Sequence, residues 1–113
     1  MMTKTHVEVF IVARMLAQRT DTFSADDLRR EIKARFGYTR SGVTTYITAH
    51  CVVNAPKKAG TVSNYLRRLP SGELRPLGPT RDRPHPSRTG ARTSPDRQDA
   101  PAACLYLLFD DGA

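Results

Sequence analysis

The chain has 113 residues, 39% of them hydrophobic, and its 18 Lys/Arg against 11 Asp/Glu give a formal net charge of +7. That length suffices for one domain with a modest core and leaves no room for a second. The two cysteines, Cys51 and Cys104, lie far apart with no CxxC or Cys/His cluster, which argues against a zinc site and a disulfide framework and suits a reducing, cytoplasmic setting.

The opening stretch MMTKTHVEVFIVARML is apolar but interrupted by Glu8 and Arg14. It falls short of the roughly 20 apolar residues of a membrane span and reads as a helix, not a signal peptide. Apolar side chains at 9, 12, 13 and 16, widened by Phe10, Ile11 and Met15, predict a mostly buried first helix over 5–19. In FSADDLRREIKARFG, Ser24 stands three residues before Asp27 in capping-box spacing, with Asp in place of the usual Glu or Gln. Phe23 and Leu28 occupy the positions of a hydrophobic staple, and Leu28, Ile32 and Phe36 repeat at i, i+4, i+8. Asp26 and Asp27 favour the start of this second helix, and Arg35 with Gly37 its end.

A third helix is predicted from about Ser41 to Val53, capped by Thr39 or Ser41 and stopped by Asn54-Ala55-Pro56. Its β-branched content would tolerate a strand, but the row Val43, Ile47, Cys51 decides for a helix. After the polar loop KKAGTVS, NYLRRLPSGELRPL shows two short runs around Pro70-Ser71-Gly72, the pattern of an antiparallel hairpin. Residues 78–101 hold five prolines, five arginines and almost nothing apolar, which predicts an extended arm. Residues 102–113, AACLYLLFDDGA, carry an apolar run at 104–109 that should dock as a short strand or helical turn, either on the first helix of the same chain or on a second copy. Monomer and homodimer both remain open on this pattern.

Residues 1–77 carry 13 Lys/Arg against 6 Asp/Glu, whereas 78–113 carry 5 of each, so the compact part holds all of the net charge. A basic compact domain suits a polyanion. Three helices followed by a two-stranded hairpin is the order of a winged helix-turn-helix, an α+β fold whose third helix enters the major groove while the wing follows the backbone or minor groove. With Val43, Ile47 and Cys51 turned inward, Arg40, Ser41, Thr44, Thr45 and Thr48 fall on the outward and amino-terminal surfaces. Arginine can bond a guanine edge at two points, threonine offers a hydroxyl and a methyl, and a helix amino terminus can hold a phosphate. Capping and solvation of an exposed helix would explain the same residues singly.

Lys57, Lys58, Arg67, Arg68 and Arg75 cluster in and around the hairpin. Alternation along YLRRL sends Arg67 with Tyr65 and Leu69 to one side and Arg68 with Leu66 to the other. Phosphate contact is therefore assigned to Lys57, Lys58 and one of the two arginines, with a solvated charge run as the plain alternative. His50 beside Cys51 invites a metal or catalytic reading, but helix neighbours point about 100° apart and no third ligand is in view. His6 and His85 lack partners, no Gly-rich phosphate loop or paired-carboxylate pattern is present, and no PD-(D/E)xK or HNH set appears. A binding protein without enzymatic activity or cofactor is expected.

The run from SGVTTYITAHCVVNAP through YLRRLPSGELRPL resembles the small winged-helix domains associated with restriction-type and modification-dependent endonucleases. The matching positions are Thr44, Ile47, Cys51, Asn54, Ala55, Pro56, Leu66, Arg68, Leu69, Gly72 and Arg75. Leu74 stands where that pattern carries an aromatic residue. The resemblance implies double-stranded DNA as the partner, with a role in regulation or in targeting an endonuclease of a restriction or defence system. The competing expectation is a winged helix that uses its third-helix face and terminal apolar run to bind a partner chain.

Overall fold

Between Val7 and Ala13 every side chain but Glu8 is apolar, and a helix of that composition is stable only when covered on most sides. The computed structural model, which describes residues 4–37, 46–47, 51–54, 63–76 and 93–108, shows how this is done. Helix α1 (Thr5–Leu16) turns Val9, Phe10, Val12, Ala13 and Leu16 into the main core, and Val7 and Ile11 into a smaller cluster on another side. The helix is three residues shorter than its pattern predicts. At 18–19 the chain closes instead with i to i+3 hydrogen bonds, Gln18 N to Met15 O at 3.2 Å and Arg19 N to Leu16 O at 2.9 Å, the usual tightening of an exposed final turn.

Helix α2 (Ala25–Phe36) begins at the expected cap. The Ser24 hydroxyl accepts from Asp27 N at 3.0 Å, and the Asp27 carboxylate accepts from Ser24 N at 3.3 Å, so two orphan amides are satisfied reciprocally. Gly37 closes the helix at φ 75, its N–H donating to Lys33 O at 2.8 Å, in a conformation that a side chain would strain. Leu28 and Ile32 are buried and Phe36 half-buried, all against α1. The Ser24 amide and hydroxyl hold the Asp27 carboxyl below its ordinary pKa, with Arg30 adding to the effect. Because the folded pKa lies below the unfolded one, this stabilisation is complete above the unfolded value and drains away as pH falls through the folded one. Losing the Ser24 cap in Ser24→Ala should cost about 1 kcal/mol, as for N-cap side chains in general, and should blunt the acid sensitivity of thermal melting, as measured by circular dichroism.

Strands β1 (Leu66–Arg68) and β2 (Leu74–Pro76) form the predicted antiparallel hairpin, in the register Leu66↔Pro76, Arg67↔Arg75, Arg68↔Leu74. Pro70, Ser71 and Gly72 make its turn: Gly72 N donates to Leu69 O at 2.8 Å, Leu69 N to Glu73 O at 2.8 Å, and Gly72 sits at φ 91. This is a three-residue loop ending in a left-handed glycine, which twists in the sense the strands require. The described residues establish an α+β arrangement consistent with a winged-helix layout.

The carboxy-terminal part departs from expectation. Residues 93–101, expected to be the end of an extended arm, pack on the domain: Ser94 is only 4% exposed, Pro95 is buried, and Arg97–Asp99 form a 3₁₀ turn whose Asp99 pairs with Lys4 at 3.3 Å. Serine and proline bury little apolar area, so composition could not reveal this contact. A 3₁₀ helix, Ala102–Leu107, follows and lies against α1 of the same chain. Leu107 is buried with Val7 and Ile11, Cys104 and Met15 flank it, and Arg14 Nε donates to Leu107 O at 3.1 Å. Partial burial lowers the pKa of Arg14, and the carbonyl returns a hydrogen bond to a cation that has lost water. Deleting residues 102–113 should leave a monomer in sedimentation analysis while costing roughly 2–5 kcal/mol, the range for losing a buried leucine. A dimer that falls to a monomer on deletion would instead mean exchange of the segment between chains.

Candidate nucleic-acid interface

The residues expected to read DNA from the third helix, Arg40, Ser41, Thr44, Thr45 and Thr48, and the loop cations Lys57 and Lys58, lie outside the described residues, as does Val43. What is described is how the end of that segment meets the hairpin. Ile47 and Cys51 are buried in the main core, as their spacing predicts, and Tyr46 packs beside them. Cys51 N donates to Tyr46 O at 2.9 Å, an i to i+5 closure, wider than an α-turn.

The expected helix end at Val53 is corrected. Val52 bridges to Leu66 in parallel fashion and residues 53–54 turn. Leu66 N donates to Cys51 O at 2.8 Å and Val53 N to Leu66 O at 2.7 Å, so the backbone here is satisfied by strand β1 and not by a further helical turn. β-Branched Val52 suits that bridge. Asn54, expected only as a helix stop, continues it with its side chain: Nδ2 donates to Arg68 O at 2.8 Å, and Oδ1 accepts from Arg68 N at 3.0 Å.

On the far edge, Phe23 pairs with Leu74 through two backbone bonds, Phe23 N to Leu74 O at 2.9 Å and Leu74 N to Phe23 O at 2.7 Å. The spatial order is thus Val52, β1, β2, Phe23, and the hairpin is held on both edges. Leu74, where the resembled pattern has an aromatic, is fully buried and spends its backbone on Phe23. Thr22 Oγ1 donates to Glu73 Oε1 at 2.7 Å, tying the tip-proximal carboxylate of the wing to the segment before α2. At the base, Tyr65 is buried edge-on to Phe10, ring centroids 5.0 Å apart, and its hydroxyl lies 3.1 Å from His6 Nδ1. His6 is therefore partnered inside the fold, contrary to its reading from sequence.

The register separates the arginines. Arg67 stands directly opposite Arg75 on one face of the hairpin, while Arg68 shares the other face with Leu66 and Leu74. Both members of the Arg67/Arg75 pair are half-buried. Arg68 Nη1 donates to Gly72 O at 3.3 Å, and Arg75 Nη1 to Pro76 O at 3.4 Å. Of the two adjacent arginines, Arg68 bonds the turn, and Arg67 is the one that lies across the ladder from a second cation. Like charges placed directly across a ladder repel, and this register sets two cationic residues side by side on one face of the hairpin.

Three acids of α2 pair locally: Asp26 with Arg29, Asp27 with Arg30 at 3.1 Å, and Glu31 with Arg19 at 3.5 Å and Arg35 at 4.0 Å. Among the described residues, no group of three His, Cys, Asp or Glu could hold a metal ion, and no helix is long and apolar enough to cross a membrane. Asn54 and Phe23 are the residues that sequence reasoning missed here. Their partners lie 14 and 51 positions away, and no local pattern announces such pairings. Searches of protein-family models, curated proteins and solved structures found no match to this chain.

Proposed function

We propose that the protein is a non-enzymatic module that binds double-stranded DNA. The observation that carries this reading is the Arg67↔Arg75 pair on a wing braced at both edges, within a segment, residues 1–77, that holds the whole net charge of +7. The wing arginines and Lys57 and Lys58 would neutralise phosphates, giving affinity without sequence preference, while Arg40, Ser41, Thr44, Thr45 and Thr48 would supply base readout from the preceding helix. The resemblance to domains associated with restriction-type endonucleases supports a cytoplasmic regulator, or a targeting component working beside such an enzyme.

A second reading rests on a different feature. Tyr106 is 67% exposed on the docked 3₁₀ helix, next to exposed Ala102 and Ala103, and such a surface suits a partner chain. Selection of bound duplexes from a random pool, run in parallel with modified and unmodified DNA and at several salt concentrations, separates the two. The DNA reading expects binding that falls steeply with salt. No enrichment at any salt would transfer the function to the protein-binding surface.

A further inference from the structure

Arg67 lies between two residues of β1 that are both anchored to residues 51–54. Before it, Leu66 is held by Cys51 O at 2.8 Å and Val53 N at 2.7 Å; after it, Arg68 is held at both its N–H and its carbonyl by the Asn54 carboxamide, at 3.0 and 2.8 Å. A carboxamide is the one side-chain group that presents a donor and an acceptor side by side, so Asn54 imitates the backbone of an additional paired strand residue. The main-chain pairing stops at Val53, and the side chain extends it by one more step. Asn54 is itself exposed, so its two bonds are not explained by core packing.

Resting on the DNA-binding reading, we infer that Asn54 is a positioning residue for Arg67, joining the hairpin to residues 51–54 so that Arg67 is presented to a duplex from a fixed backbone. Without the clamp, the β1 edge beyond Leu66 loses its partner and the hairpin can twist about its base. Arg67 would then move with the hairpin, and the entropy of fixing the hairpin on binding would be subtracted from affinity. Aspartate cannot replace asparagine: it keeps the acceptor for Arg68 N–H but sets an oxygen against the Arg68 carbonyl.

Two measurements on the full chain test this. In the free protein, Asn54→Ala and Asn54→Asp should each speed hydrogen exchange at the Arg68 amide by about tenfold or more relative to the Leu74 amide, which pairs with Phe23. In duplex binding followed by fluorescence anisotropy with a 20-base-pair probe, Asn54→Ala should weaken affinity by about fivefold, as expected for partial loss of one ordered cation. It should have no further effect in an Arg67→Ala background. A purely structural Asn54 would give the same loss in both backgrounds, and that additivity would overturn the inference. Unchanged Arg68 exchange in both variants would overturn it as well. If the wild-type chain fails to bind the probe at low salt, the DNA reading falls and the positioning role with it. Faster Arg68 exchange would then still establish the clamp as a feature of the fold.

Discussion

Phe23→Ala is expected to be the most damaging single substitution among the described residues, costing roughly 3–5 kcal/mol by the usual range for a buried Phe. Phe23 is 2% exposed and belongs to the main core with Leu28, Leu74 and α1. It also sits immediately before the Ser24 cap, and its backbone forms the outer edge of the wing sheet. The substitution therefore opens a cavity where α1, α2 and β2 meet and loosens the entry to α2. A domain of this size has about 5–15 kcal/mol in total, so the variant should be partly unfolded at ordinary temperatures. Urea titration would measure it. A loss below about 1 kcal/mol would mean that the site collapses around the missing ring and that Phe23 does not join these layers.

The second large effect concerns binding. Replacing Arg67 and Arg75 together by alanine should reduce the slope of log affinity against log salt by about two, close to 0.9 for each phosphate no longer neutralised. Between 50 and 200 mM salt, the variant's affinity should then fall about tenfold less than the wild type's. All duplexes should weaken alike, because phosphate contacts carry no sequence information. Salt titrations on two unrelated duplexes are sufficient to read this. An unchanged slope would remove the wing from the interface and leave only the preceding helix and loop to carry it.

Much of the fold was legible in the sequence because its cues are local. The Ser24-to-Asp27 spacing, the Leu28, Ile32, Phe36 row and Gly37 define α2 within 14 residues, and a capping box acts over a single turn whatever packs above it. The hairpin is equally local: Pro70-Ser71-Gly72 sets the turn, and the turn sets the register. Composition placed the charge on residues 1–77, and the spacing of Ile47 and Cys51 predicted their burial.

Tertiary structure decided the rest, because those features depend on pairings between distant segments. Whether Arg67 or Arg68 faces a second cation depended on which residue of β2 lies opposite, and the register assigned that place to Arg67. Backbone groups of β1 and β2 left unpaired by the hairpin ended the expected helix before Val52 and recruited Phe23 and Asn54, since an edge strand must find partners for its amides and carbonyls. The apolar run near the carboxy terminus announced that it would be covered, but only the side of α1 turned away from the main core, with Val7, Ile11 and Arg14, determined by what. Hydrophobic burial is non-directional, so a sequence specifies that such a segment must dock long before it specifies where.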